Sequence, residues 1–152
     1  MRRKISVLLA EDNMDHAELI LEGLQEGNEQ FIVQHVKDGE TAILYLLGEE
    51  QYSDRSKFPF PDLVILDIKM PKKTGLEVLE VIKTTGALKK IPVLILSTSK
   101  KEDEIIRAYG AGACTFLTKP IEYEEFIQKL SDLKYYWALV AEVPENAEGK
   151  RK

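Results

Sequence analysis

The 152-residue chain is predicted to form one α/β domain, a doubly wound five-stranded parallel sheet with helices on both faces. Two observations predict it. Five short apolar runs alternate with five segments of helical period, the pattern of βα units. A hydrophobic content of 44% beside 31% charged residues is ordinary for a globular chain of this length, enough for one core and too little for two domains.

The first strand is Ile5 to Ala10, a run bounded by charged residues. Met14, Ala17, Leu21 and Leu24 then recur on one face of a first helix, which either Asp12 or Asn13 can cap. A mixed run, Phe31 to Val36, is the second strand, and Ala42, Tyr45 and Leu46 mark the second helix. Gly48 to Pro61 has no clear period and carries two prolines, so it reads as a long connection. Leu63 to Leu66 is the third strand, with Leu76, Leu79 and Ile82 marking the helix after it. Val93 to Leu96 is the fourth, followed by a weaker helix from Glu102 to Gly112. Ala113 to Leu117 is the fifth, and Glu122 to Trp137 the last helix, with Phe126, Ile127, Leu130, Leu133 and Trp137 on its inner face. The crossovers are expected to be right-handed. The domain is expected to span 1–137, and 138–152 to be an extension whose polar end, from Glu142, is disordered.

Charge and cysteine content exclude several classes of function. A net charge of -5 and a pI near 5.2 leave no electrostatic footprint for nucleic acid or anionic lipid. The single cysteine, Cys114, cannot close an internal disulfide or build a Cys-based zinc site, and in an apolar strand it reads as a small buried hydrophobe. The start, Met1 to Lys4, leads into a largely apolar run of only six residues, too few for a secretion signal or a membrane span. A cytoplasmic protein is expected.

In an open parallel sheet the ligand site lies beyond the carboxyl ends of the strands. The residues found there are Glu11 and Asp12 after the first run, Asp67 after the third, Ser97 and Thr98 after the fourth, and Lys119 with Pro120 after the fifth. Three carboxylates, a hydroxyl and an amine therefore converge from distant parts of the chain. Two like charges about 4 Å apart repel by roughly 4 kcal/mol at an effective dielectric near 20, so something cationic must sit among them. Lys119 is one candidate. A hard divalent ion with oxygen ligands is the other, and Mg2+ fits best because it accepts one or two carboxylates, keeps waters and leaves room for a phosphoryl oxygen. A carboxylate beside Mg2+ and a lysine can attack phosphorus to form an acyl phosphate, while the Ser97 hydroxyl bonds one of its oxygens.

From Val7 to about Leu133 the chain resembles the receiver domain of two-component response regulators. The resemblance rests on the Glu11-Asp12 pair, the run from Leu63 to Asp67 followed by Met70, Pro71 and Gly75, the run from Pro92 to Ser97, and the Thr118-Lys119-Pro120 end. Ser97 lies 30 residues after Asp67, and Lys119 another 22 on, spacings typical of that family. The resemblance implies a flavodoxin-like sheet in the order 2-1-3-4-5, with Asp67 as phospho-acceptor. It further implies that Glu11 and Asp12 hold Mg2+, directly or through water, with Asp67 and the backbone carbonyl of Lys69. Ser97 is then the switch hydroxyl, Lys119 the partner of the phosphoryl group and Phe116 the switch aromatic. The connection ending at Phe58 to Pro61, the strand end from Leu96 to Ser99 and the aromatic tail are similar to single-domain regulators that serve bacterial phytochrome kinases.

Each of these residues also has a plainer role. Glu11 and Asp12 can favour the positive end of the following helix while holding an ion. Phe116 can be core, and Lys69, Lys72 and Lys73 a solvated loop. His16, in the first helix, and His35, in the second strand, would act as kinase-type phosphohistidines only on a helix bundle that docks a partner, so neither is assigned a function.

The expected function is a phosphorylation switch, Mg2+-dependent and fed by a histidine kinase, that catalyses only its own phosphorylation and dephosphorylation. With no effector domain in this sequence, output is expected through a partner or self-association on the fourth helix, fifth strand and fifth helix. Tyr135, Tyr136 and Trp137 cannot all face one core, since successive helical side chains lie about 100° apart, and Leu139, Val140 and Val143 extend the apolar segment, either toward a homodimer or back over the domain itself. Two alternatives share the topology. A flavodoxin-like cofactor carrier needs a Gly- or Ser/Thr-rich turn after the first strand, where this chain has Glu11 and Asp12. An Asp-nucleophile phosphohydrolase usually has a second acid two residues after the nucleophile, where this chain has Lys69.

Overall fold

The computed structural model describes residues 4–25, 31–98, 101–120 and 122–136. In chain order the elements are β1 (Ile5–Ala10), α1 (Met14–Gln25), β2 (Phe31–Val36), α2 (Gly39–Leu47), β3 (Leu63–Asp67), α3 (Gly75–Thr84), β4 (Val93–Ser97), α4 (Glu102–Gly110), β5 (Thr115–Thr118) and α5 (Tyr123–Tyr135). The sheet is parallel throughout, in the order β2-β1-β3-β4-β5. This is the predicted doubly wound fold, with the predicted strand order.

Successive side chains of a strand point to opposite faces of the sheet, so each inner strand feeds two cores. Leu8, Ala10, Val64, Leu66, Val93 and Ile95 pack with Ala42, Tyr45 and Leu46 of α2 and with Val78, Leu79 and Ile82 of α3. Val7, Leu9, Leu63, Ile65, Leu94 and Leu96 pack on the other face with Ala17, Ile20 and Leu24 of α1 and with Phe126 and Leu130 of α5. Burying each large aliphatic side chain stabilises the fold by about 1.5 to 3 kcal/mol, which makes β1, β3 and β4 a rigid base for whatever stands at their ends. Helix α4 buries only Ala108, and Ile106 and Tyr109 are exposed, in keeping with its weak sequence period.

Local chemistry sets the element ends. Asn13 caps α1, its Oδ1 accepting from the His16 amide at 3.1 Å, which decides between the two candidate caps and releases Asp12 for other work. Asp38 caps α2 through the Thr41 amide at 2.7 Å, and Gly48 ends that helix at φ 67, a left-handed position that favours glycine. Thr74 and Glu77 form a reciprocal capping box at the start of α3.

The connection from Gly48 to Pro61 has a core of its own. A short 3-10 turn, Glu50–Ser53, places Tyr52 against Tyr45 with ring centroids 5.0 Å apart, and Phe58 closes on Tyr52 at 5.0 Å. The Tyr45 hydroxyl donates to the Pro59 carbonyl at 2.8 Å. The Arg55 guanidinium lies over the Tyr45 and Phe60 rings and donates to the carbonyls of Leu46 and Phe58. Backbone that no ladder satisfies is thereby tied down by side chains.

Three expectations are revised. Cys114 is exposed, because β5 begins one residue later, at Thr115, and as an edge strand it covers little of what precedes it. Strands β3 and β4 each run one residue further than the apolar pattern, ending on Asp67 and Ser97. Helix α4 stops at Gly110, and α5 begins at Tyr123, one residue after Glu122. The expectations for Trp137, Leu139, Val140, Val143 and the tail from Glu142 fall outside the described residues, as does that for Ser99. Among the described residues no helix is long and apolar enough to cross a membrane.

Candidate functional site

Register brings the strand ends together. Ala10 pairs with Leu66, Asp67 with Leu96 and Ser97 with Thr118, so Glu11, Asp67, Ser97 and Lys119 emerge on one edge of the sheet. Beyond that edge the carboxylates of Glu11, Asp12 and Asp67 offer oxygens that all lie within 4.8 Å of one another. Glu11 and Asp67 are buried and Asp12 is exposed, so the cluster has two fixed walls and one side open to solvent.

Each wall is anchored. The Glu11 amide continues the sheet ladder to the Val36 carbonyl at 3.1 Å, its own carbonyl meets His35 Nε2 at 2.8 Å, and its Oε2 accepts from the Asn13 amide at 3.2 Å. His35, assigned no function from the sequence, thus contacts the Glu11 backbone. Asp67 ends β3, and the chain then folds back so tightly that the Gly75 amide reaches the Ile68 carbonyl at 2.9 Å. A Cβ on Gly75 would stand 2.3 Å from the Asp67 carbonyl oxygen, so glycine is required there by close approach. Lys72 in the same turn adopts φ 70, and its ammonium lies 3.9 Å from carboxylate oxygens of Asp38 and Glu40. The side chains of Lys69, Lys72 and Lys73 are exposed, as the solvated-loop reading expects.

The cation is Lys119. Its amide donates to the Ser97 carbonyl at 2.7 Å, which carries the β4–β5 ladder one step past the strand and aims the side chain back across the site. Its Nζ lies 2.5 Å from Glu11 Oε1 and 3.4 Å from Asp67 Oδ2. Even so, Asp67 titrates high. Burial first, then the hydrogen bond and charge of Glu11, push its carboxyl up to about 6, against the partial relief that Lys119 supplies. One ammonium does not balance this many carboxylates in so dry a place, and the donor set, all hard oxygen, fits a small divalent cation.

Ser97 is buried at the end of β4. Phe116, on β5, is half-buried against the α2–α3 core, and its amide donates to the Tyr109 hydroxyl at 3.1 Å. Thr98, named in the sequence beside Ser97, is exposed.

Sequence reasoning weighed His16 only as a phosphohistidine and did not place it beside Lys119. The first turn of α1 carries its imidazole over the sheet edge, where Nδ1 stands 3.1 Å from Lys119 Nζ. Burial and the Lys119 charge depress its pKa, which favours the neutral ring. The signal was present, since His16 follows Asp12 by four residues, one helical turn, but it required knowing that Asn13 is the cap.

The model of the response regulator receiver domain matches residues 7–131. The chain belongs to the response regulator receiver family. It is 36% identical over 131 residues to the probable methanogenesis regulatory protein FilR2 of Methanothrix harundinacea, covering 86% of this chain and 82% of that protein. It is 31% identical over 138 residues to the response regulator Rcp1 of Synechocystis, covering 91% of this chain and 92% of Rcp1. The Mn2+-bound structure of Rcp1 superposes with a TM-score of 0.86 over 93% of this receiver and 99% of that chain. The phosphorylated cyanobacterial phytochrome response regulator RcpA, at 35% identity, superposes with a TM-score of 0.88 over 93% and 99% of the two chains. The receiver is thus similar to phytochrome response regulators along nearly its whole length, and its cluster of Glu11, Asp12 and Asp67 fits the phosphorylation site of such a domain.

Proposed function

We propose that this receiver accepts a phosphoryl group on Asp67 from a phytochrome-type histidine kinase in the cytoplasm and passes the signal on through its α4–β5–α5 surface. The observation that carries the reading is a buried carboxylate with a raised pKa, held between a second buried carboxylate and an ammonium at an open sheet edge. An Asp67 Oδ attacks phosphorus, the P–N bond to the kinase histidine breaks, and its electron pair remains on the imidazole. The product is an acyl phosphate.

Glu11, Asp12 and Asp67, with the backbone carbonyl of Lys69, would hold Mg2+, which supplies charge neutralisation for the transferred group. Lys119 adds an ammonium already 3.4 Å from the nucleophile. The new group brings a charge of about -1.5 to -2 and strong acceptor oxygens, to which the Ser97 hydroxyl donates. Ser97 then vacates space that Phe116 enters, and the bond from the Phe116 amide to Tyr109 couples β5 to α4.

The surface so altered carries exposed Ile106, Tyr109 and Tyr123, and Tyr135 and Tyr136 are exposed at the end of α5. A second copy of the chain fits this face as a closed homodimer. Acidic Ala10 to Asn13 and the lysine at 69 weigh against a cofactor carrier and a phosphohydrolase.

Incubating the chain and Asp67→Asn with a phosphodonor, with Mg2+ or EDTA, and measuring intact mass tests the proposal. One added phosphoryl group is expected on the wild type with Mg2+ alone. Equal uptake by the variant removes Asp67, and uptake in EDTA removes the metal. Sedimentation of the full chain before and after phosphorylation tests the homodimer, and a monomer in both states removes it.

A further inference from the structure

An ammonium has three N–H donors, and in this site three groups stand within reach of them, two carboxylates and one imidazole. Lys119 Nζ lies 2.5 Å from Glu11 Oε1, 3.4 Å from Asp67 Oδ2 and 3.1 Å from His16 Nδ1. The two carboxylates are unequal rivals. Glu11 is fully buried and lies nearer, so it holds the ammonium more closely than Asp67 does, and a third contact bears on how far the ammonium leans toward the nucleophile.

The third acceptor is held in place by two further contacts. The His16 amide is bonded to the cap residue Asn13 at 3.1 Å, which fixes the first turn of α1. The His16 ring meets Phe126 of α5 edge-on, with centroids 6.2 Å apart and planes at 81°. Phe126 is itself 4% exposed, so the half-buried imidazole rests against a fixed ring of α5, with Nδ1 within hydrogen-bond distance of Lys119 Nζ.

We infer that His16 is a positioning residue for phosphotransfer: its Nδ1 accepts one N–H of Lys119 and thereby keeps another N–H on Asp67, where the phosphoryl group arrives. The inference rests on Asp67 being the phospho-acceptor and adds a residue that does not touch the reacting atoms. A ring nitrogen suits the task because it takes a hydrogen bond without adding a further negative charge to a site already rich in carboxylate. Lys119 can thus follow the group as Asp67 becomes phosphorylated, while His16 retains its share of the ammonium.

The test uses the full chain with acetyl phosphate and Mg2+. An Asp67 Oδ bonds to phosphorus, the P–O bond to the acetyl carboxylate breaks, and acetate leaves with the electron pair. His16→Leu keeps the bulk and removes the acceptor, whereas His16→Asn places an amide oxygen near the position of Nδ1. Loss of a hydrogen bond to a charged group predicts phosphorylation slower by on the order of tenfold in His16→Leu. His16→Asn is expected within about threefold of wild type, because roughly half a kilocalorie of poorer geometry corresponds to no more than that. Thermal melts report whether each variant folds.

Long-range 1H–15N spectra of the unphosphorylated chain read the tautomer independently of any transfer, with His16→Asn assigning the signal between the two histidines. An unprotonated Nδ1 that shifts in Lys119→Ala is expected. A protonated Nδ1, or a signal indifferent to Lys119, overturns the inference whatever the kinetics. Wild-type rates in His16→Leu, or equal slowing in both variants, overturn it as well. Absence of phosphorylation in the wild type overturns the reading of Asp67 on which it stands, and the spectrum then still reports on the contact itself.

Discussion

Replacing Asp67 with asparagine removes the group whose ionisation the folded site resists. In the folded chain that carboxyl is pushed from 3.8 up to about 6, so ionising it costs stability. A raised carboxylate contributes stability that is complete below the unfolded value and is lost as pH rises through the folded one. At about 1.4 kcal/mol per pH unit, the loss across the whole window is about 3 kcal/mol, and the part between pH 4.5 and 6 is about 2 kcal/mol. Asp67→Asn has no such loss. Its stability relative to wild type should therefore grow by about 2 kcal/mol between pH 4.5 and 7.5, or about 4 to 8 °C in Tm for a domain of this size. Because the quantity is a change with pH, contacts that asparagine makes or loses at every pH cancel from it. Thermal melts of both proteins in EDTA across that range measure it. With saturating Mg2+ the ion stabilises the ionised cluster, and the growth should shrink toward zero. A Tm difference that stays flat with pH in EDTA, or that shrinks as pH rises, would refute the reasoning about burial and Glu11.

Three further outcomes are expected. Ser97→Ala should take up phosphate by intact mass yet lose most of the phosphorylation-dependent change in partner affinity or self-association, a coupling of about 1 to 3 kcal/mol, so an undiminished change would remove the hydroxyl from the switch. Gly75→Ala puts a Cβ 2.3 Å from the Asp67 carbonyl oxygen, and should cost about 1 to 3 kcal/mol in denaturant unfolding together with slower phosphorylation. Tyr45→Phe deletes the bond to the Pro59 carbonyl and should cost about 1 kcal/mol in the same assay, leaving phosphorylation intact; an unchanged midpoint would show that the connection does not depend on this bond.

Strand and helix periods are local properties, and here they suffice for the sheet. A buried parallel strand must be apolar on both faces, so Leu63 to Leu66 and Val93 to Leu96 declare themselves, and whatever polar residue follows them must lie at the sheet edge. That places Glu11, Asp67, Ser97 and Lys119 in one neighbourhood from sequence alone, and the register bears this out. The apolar pattern ends one residue early at Asp67 and Ser97, because it cannot register a polar residue that is still paired in the ladder. Other features depend on distances between elements, about which periodicity carries no information. The exposure of Cys114 follows from where the edge strand begins. The packing of Tyr45, Tyr52, Arg55 and Phe58 follows from an irregular segment folding onto α2, with no repeat to announce it. His16 meets Lys119 across 103 positions of sequence, and only the packing of α1 and α5 on one face of the sheet brings that imidazole within a hydrogen bond of the ammonium.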